Sequence, residues 1–345
     1  MKFGHTMLAT FALILPLSTS AVWAQGKPYA IAIHGGAGTI DKAAMSPEQQ
    51  QAYRQTLTQA VNAGHEILAK GGDSLSAITA AIVILENSPL FNAGKGAVYT
   101  YDGGHELDAA IMDGHTMAAG AVAGVKHIAN PIELARAVMQ SSPHVLLSGA
   151  GAEEFALEQQ FSLVPQSYFD TEARWQQWQQ AKTKMQQDKA QARDYHASIN
   201  QMILKDKFGT VGAVALDKHG NLAAGTSTGG MTAKRFGRVG DSPIIGAGTY
   251  AENGVCAVSA TGHGEYFIRY QVAGDICARV KYQGTSIIQA SDQVINQRLI
   301  SAGGSGGVIA IDHRGNIATP FNTEGMYRAT RKNDDAVQVM IWREQ

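Results

Sequence analysis

Hydrophobic and polar positions fall into two textures along the chain, helical before Thr210 and strand-like after it. Tyr29-Ala-Ile-Ala-Ile33 is a short apolar run that meets His34-Gly-Gly-Ala-Gly38, which predicts a buried strand stopping at a tight backbone turn. Ser46-Pro47 with Gln49 is a capping box with proline at the first helical position, so a helix is predicted to about Lys70, where Gly71-Gly72 ends it. Asp73 caps a second helix, whose Leu75, Ile78, Ile82 and Leu85 share one face. Further helices are predicted after Asn130-Pro131 and after Gly149. Residues 171–207 hold no Gly or Pro, are rich in Gln, Lys and Ala, and have little apolar character beyond Trp175, Trp178 and Met185. That composition fits a solvated helix or a mobile linker.

From Thr210 to Asp217 the pattern is that of a strand, Lys218-His-Gly-Asn221 is a turn, and Leu222 to Thr228 is a returning strand. A near copy follows at Val308-Ile-Ala-Ile-Asp312, His313-Arg-Gly-Asn316 and Ile317-Ala-Thr319. Two similar hairpins with helices before and between them predict stacked sheets flanked by helices, an α+β layered fold. Two copies do not make a propeller or a solenoid.

The start of the chain has a different character. Lys2 precedes an apolar run over residues 7–17, and Ser-Thr-Ser-Ala-Val-Trp-Ala follows at 18–24. This is the layout of a secretory signal peptide cut after Ala24, and the run is too short for a membrane anchor. An exported protein, periplasmic in a bacterium, is expected. The whole chain has 345 residues, a formal net charge of −1 and 17 % charged residues, which gives no electrostatic reason to expect nucleic acid or an anionic membrane as partner. The hydrophobic content of 45 % suits a packed core. Cys256 and Cys277 are the only cysteines, so a disulfide framework is excluded, and two separate buried thiols are expected.

Several chemistries find no motif. His65-Glu66 and His105-Glu106 lack the second histidine of a zinc helix, Lys95-Gly96 does not complete a phosphate loop, and Gly35, Gly36 and Gly38 lack dinucleotide spacing. No catalytic cofactor is expected. Gly225-Thr-Ser227-Thr-Gly229 matches the nucleophile elbow of α/β-hydrolases, but it ends a hairpin strand and is followed by glycine rather than by a helix.

A stronger constellation begins at Gly209-Thr210. If that bond is cut, Thr210 becomes a terminus with a hydroxyl nucleophile and an α-amine that titrates at about 7.7–8.0, low enough to serve as its base. Thr228 ends the second strand of the same hairpin, within reach of Thr210. Arg238 and Asp241, in Gly237-Arg-Val-Gly-Asp241, suit a zwitterionic amino-acid end, the arginine on its carboxylate and the aspartate on its ammonium. Thr261-Gly-His-Gly264 offers a hydroxyl and close backbone N–H groups, as an oxyanion hole requires.

With these residues in view the sequence resembles the isoaspartyl peptidase/plant-type L-asparaginase family of N-terminal-nucleophile hydrolases. The matching stretches are His34-Gly-Gly-Ala-Gly38, Leu90-Phe-Asn-Ala-Gly94, His105-Glu-Leu-Asp-Ala109, Met112-Asp-Gly114, the block from Gly209 to Pro243, Ala260-Thr-Gly-His-Gly-Glu265 and Phe321-Asn-Thr-Glu-Gly325. The resemblance implies a four-layer αββα sandwich and a precursor that cleaves itself between Gly209 and Thr210. An α fragment (25–209, its 160–208 portion a variable polar linker) and a β fragment (210–345) would then form one domain. It implies Thr210 as nucleophile, Thr228 as its partner, Thr261 and Gly262 as the oxyanion hole, Arg238, Asp241 and Gly264 as substrate contacts, and Asn92 as a support. It also implies a homodimer of αβ protomers and a structural sodium ion held by the loop of Leu85, Glu86, Ser88, Phe91, Ala93 and Lys95. The expected substrates are β-aspartyl dipeptides and L-asparagine, opened through a β-aspartyl ester on Thr210. Two alternatives stand beside this reading. A glycosylasparaginase shares the hairpin and the Arg-Val-Gly-Asp loop but has Thr-Gly-x-Gly-Asp where this chain has Gly264-Glu265. An exported amino-acid-binding protein would use the clamp without cleaving.

Overall fold

In the computed structural model, which describes Met1 and residues 27–190 and 209–343, strand β1 (Ala30–Gly38) is buried along its whole length. The leader at 1–24 and most of the linker lie outside the described residues. Helix α1 (Pro47–Ala69) starts on the predicted capping box, with Ser46 and Gln49 bonded reciprocally, an arrangement worth about 1 kcal/mol. Asp73 caps α2 (Ser74–Glu86) through the Ser76 N–H. Then come β2 (Leu107–Asp113), β3 (Ala119–Val125), α3 (Pro131–Ser141), β4 (Leu146–Ser148), α4 (Gly149–Glu158) and α5 (Glu172–Ala190). The second half carries β5 (Val211–Leu216), β6 (Leu222–Thr228), β7 (Thr249–Glu252), β8 (Cys256–Gly262), α6 (Gly264–Tyr270), α7 (Val272–Gln283) and α8 (Ile287–Asp292). It ends with β9 (Gly306–Asp312), β10 (Ile317–Ala318), β11 (Gly325–Lys332) and β12 (Gln338–Trp342).

The strands make an eight-stranded sheet, β12-β11-β1-β5-β6-β2-β3-β4, and a four-stranded sheet, β10-β9-β8-β7. Side-chain alternation along β1 shows how they stack. Ile31 and Ile33 pack with Leu57, Ile78 and Leu85 of α1 and α2, whereas Ala30 and Ala32 pack with Ile309 and Ile311 of β9 in the other sheet. A third apolar layer joins Val258 and Val308 of the small sheet to Ile276 of α7 and Ile287 of α8. Helix, sheet, sheet, helix is the four-layer αββα arrangement.

Two sequence expectations change, and the look-alike hairpins find their places. The strand predicted to stop at His34 continues to Gly38, with an irregularity in its pairing to β11 between His34 and Ala37. The glycines that read as a turn allow a bulge instead: Gly36 has φ +107, and a Cβ on Gly35 would lie 2.3 Å from the Phe91 ring. The two look-alike hairpins belong to different sheets, β5–β6 central in the large one and β9–β10 in the small one. Their shared Asp is a turn device, since Asp217 and Asp312 each accept backbone N–H groups two and four residues on. Finally, the cysteines expected to stay as thiols form a Cys256–Cys277 disulfide. Helix α7 lies on β8, and that packing brings the two Cα atoms to 5.7 Å, within bridging range.

Candidate active site

Thr210 lies one residue before β5, at the middle of the large sheet, and Thr228 is the last residue of β6 beside it. Their Oγ1 atoms are 3.0 Å apart and both residues are buried. The Gly230 N–H donates to Thr228 Oγ1, which leaves the Thr228 proton available for the nucleophile candidate. Asn92 ties the site to the chain ahead of it. Its backbone N–H donates to the Gly209 carbonyl at 2.9 Å, its side-chain amide donates to the Gly230 carbonyl, and its backbone oxygen accepts from Gly229. Gly209 is required by this closeness, since a Cβ there would sit 2.6 Å from Asn92 Cβ.

The pair of Arg238 and Asp241 comes with a third charged residue. Arg238 is held by Glu265, a residue the motif reading passed over as a family marker, through bonds of 2.9 Å from Nε and 3.0 Å from Nη2. Gly240 and Gly264 flank the guanidinium so closely that a Cβ on either would come within 2.9 Å of it. The fork is therefore fixed before any ligand arrives. Burial alone would raise the Glu265 carboxyl, but His263 and Arg238 hold it well below the usual carboxylate range. Asp241 is enclosed beside Arg238, and burial pushes its pKa to about 7 against the pull of the guanidinium. Its Oδ2 is buried without a hydrogen-bond partner among the described residues, and its Oδ1 lies 2.9 Å from where a Cβ on Gly264 would be. A buried carboxylate oxygen short of partners beside a fixed arginine is open to a donor.

Thr261 and Gly262 end β8 in the facing sheet, where the Thr261 hydroxyl accepts from the Ala37 N–H of the His34–Gly38 segment. A side chain on Gly262 would strike the Ser305 carbonyl at 2.4 Å. Two further charged residues escaped the sequence reading. Lys234, fully buried, donates to the Glu106 carbonyl and lies 4.0 Å from Asp108, which is itself buried opposite Thr228 on β2. Lys234 lies four positions before Arg238, but nothing in sequence shows that its ammonium turns inward.

The elbow-like serine is not placed for chemistry. Ser227 points to the helical side of β6 and donates to Glu86 Oε1 at 2.6 Å. Burial raises Glu86 to about 8, and the carboxyl also accepts from Ile132 N at the start of α3. Gly225 is a packing glycine, since a Cβ there would be 3.0 Å from Ile82. The loop expected to hold sodium is tightly folded: Cβ atoms on Gly94 and Gly96 would lie 2.3 Å from the Glu86 carbonyl and 2.1 Å from that of Phe91. Among the described residues no His, Cys, Asp and Glu cluster suits a side-chain metal centre.

The αββα layers, with a threonine heading a central strand, define a hydrolase fold of the N-terminal-nucleophile class. The chain belongs to the asparaginase family, which matches residues 27–341. It is 52 % identical over 315 residues to an isoaspartyl peptidase of Salmonella typhimurium, covering 91 % of this chain and 98 % of that one. An isoaspartyl peptidase of Escherichia coli is 51 % identical, with 91 % and 96 % covered. An isoaspartyl peptidase/L-asparaginase of Xenopus laevis is 40 % identical over 304 residues, with 88 % and 92 % covered.

Proposed function

We propose that this chain is a self-activating amidohydrolase that opens β-aspartyl peptides and L-asparagine through an ester on Thr210. The observation that carries this reading is the Gly209–Thr210 junction, where Asn92 N–H polarises the Gly209 carbonyl and Thr228 engages the adjoining hydroxyl. In maturation, Thr210 Oγ adds to the Gly209 carbonyl, the peptide C–N bond breaks, and the nitrogen takes up the hydroxyl proton. Water then hydrolyses the ester, leaving the Gly209 carboxylate and a free amine on Thr210. In turnover that amine accepts the Thr210 hydroxyl proton, and Oγ attacks the substrate's side-chain carbonyl. Thr261 and Gly262 stabilise the oxyanion, the leaving amine takes the proton, and water releases aspartate. Arg238 takes the substrate's α-carboxylate, and Asp241 with Gly264 takes its α-amine. The names of the relatives favour this substrate class over glycosylasparagine.

Export through a leader cut after Ala24 agrees with a Cys256–Cys277 disulfide, a bond suited to an oxidising compartment such as the periplasm. A homodimer of αβ protomers and a sodium ion on the carbonyls of the Leu85–Lys95 loop complete the reading.

Denaturing mass spectrometry of the purified protein tests it, combined with release of leucine from β-aspartyl-leucine. Two fragments, the second starting at Thr210, are expected with turnover, and Thr210→Ala should give one uncut, inert chain. An uncut wild-type chain with full turnover would falsify the mechanism.

A further inference from the structure

We propose that His34 is a positioning residue for the nucleophile, its Nδ1–H aimed at the Thr210 carbonyl by a one-way chain of hydroxyl hydrogen bonds that starts at Thr249. This rests on Thr210 being the nucleophile. Once its bond to Gly209 is cut, Thr210 is a chain end. The ladder does not hold it, because β5 pairs with β6 only from Val211 and with β1 only from Gly212. Unpaired chain ends fray. Two bonds oppose this: the hydroxyl contact to Thr228, and the Thr210 carbonyl accepting from His34 Nδ1 at 3.0 Å.

The direction of every proton in the chain follows from its first link. A carbonyl only accepts, so Nδ1 must carry the hydrogen. His34 is fully enclosed and burial holds the ring neutral, with its pKa lowered to about 3, so Nε2 has no hydrogen and accepts. Ser259 Oγ, 3.0 Å from Nε2, must therefore donate to it. With its only proton committed, Ser259 accepts from Thr226 Oγ1 at 2.6 Å. Thr226 Oγ1 also lies 3.1 Å from the Gly248 carbonyl, but the 2.6 Å contact to Ser259 is the shorter and takes its one proton, so Thr226 accepts from Thr249 Oγ1 at 2.7 Å. A donor reversed at any step would set two lone pairs against each other.

The chain alternates between the sheets, from β1 of the large one to β8 of the small one, back to β6 and on to β7, and all four side chains are fully buried, which leaves no surface route for solvent. Room for it is kept by Gly212, two residues past the nucleophile, where a Cβ would lie 2.0 Å from Ser259 Oγ and 2.5 Å from His34 Nε2. At its far end Thr249 Oγ1 lies 3.2 Å from the carbonyl of Ser242, the neighbour of Asp241. Since Thr249's one proton is committed to Thr226, the shorter contact, the chain ends at Thr249, beside the segment that carries Asp241.

The test compares processed wild type with Ser259→Ala, His34→Leu and His34→Asn on β-aspartyl-leucine, and reads the ring tautomer by 15N NMR of labelled histidine. His34→Leu should lower kcat about a hundredfold with KM little changed, the scale of a small misplacement of a reacting group. Ser259→Ala removes the bond that selects the tautomer, so kcat should fall about tenfold and the two tautomers should mix. His34→Asn keeps an N–H near the place of Nδ1 and should retain most of the turnover. In wild type the Nδ1–H form should persist from about pH 5 to pH 9. The tautomer is read without activity, so it also serves if a variant folds poorly. An Nε2–H form in wild type overturns the proposal, as do undiminished kcat values in Ser259→Ala and His34→Leu or losses confined to KM. A wild type that stays uncut and inert overturns the nucleophile reading and this proposal with it; normal wild-type turnover beside unimpaired variants overturns the positioning role alone.

Discussion

Asp241 shows how far one side chain's surroundings set its chemistry. Burial brings its pKa to about 7, so at lower pH the carboxyl is protonated and offers no charge to a substrate ammonium. The sign follows directly: kcat/KM for the dipeptide should rise with pH through about 7 and then level off, with the Thr210 amine adding a limb at about 8 in kcat. In Asp241→Asn the limb near 7 should vanish and kcat/KM stay low throughout. A wild-type profile flat between about pH 5.5 and 7.5 would remove Asp241 from that role. Residue types and short spacings made Thr210, Thr228, Arg238 and Asp241 legible in the sequence. Glu265, Lys234 and the Ser259–Thr226–Thr249 hydroxyls were not, because their roles depend on partners from other strands and on which way each side chain turns.

Among the elements, those announced by local signals are where the sequence placed them. Ser46 and Asp73 cap their helices, proline opens α3, and the β5–β6 hairpin turns on Asp217. Sheet membership was hidden, because pairing is non-local: β1 lies between β11 and β5, far from it in sequence. The continuation of β1 through Gly35-Gly36 was hidden as well, since the aromatic cover from Phe91 that needs Gly35 comes from another loop. The disulfide fastens α7, an outer helix, to β8 across a sequence separation of 21. A loop of that size is worth about 3 kcal/mol, so Cys256→Ala/Cys277→Ala should lower Tm by about 5 °C while sparing kcat. An unchanged melting curve would show that the packing of α7 suffices.

Across the whole molecule, the order of the large sheet has a consequence for the two fragments that a cut after Gly209 would leave. β1 belongs to the segment before Gly209, yet both of its neighbours, β11 and β5, belong to the segment after it. β2 in turn pairs with β6 across the same divide. Neither piece can complete this sheet alone, so the uncut chain must assemble before cleavage can be harmless. Refolding from denaturant should therefore succeed for Thr210→Ala at any dilution, whereas the cut wild type should recover less as it is diluted. Equal recovery of both would show that the pieces fold independently. A cut at that single bond would thus act as a ratchet: the molecule could be taken apart afterwards, but it would have lost the tether by which it was first put together.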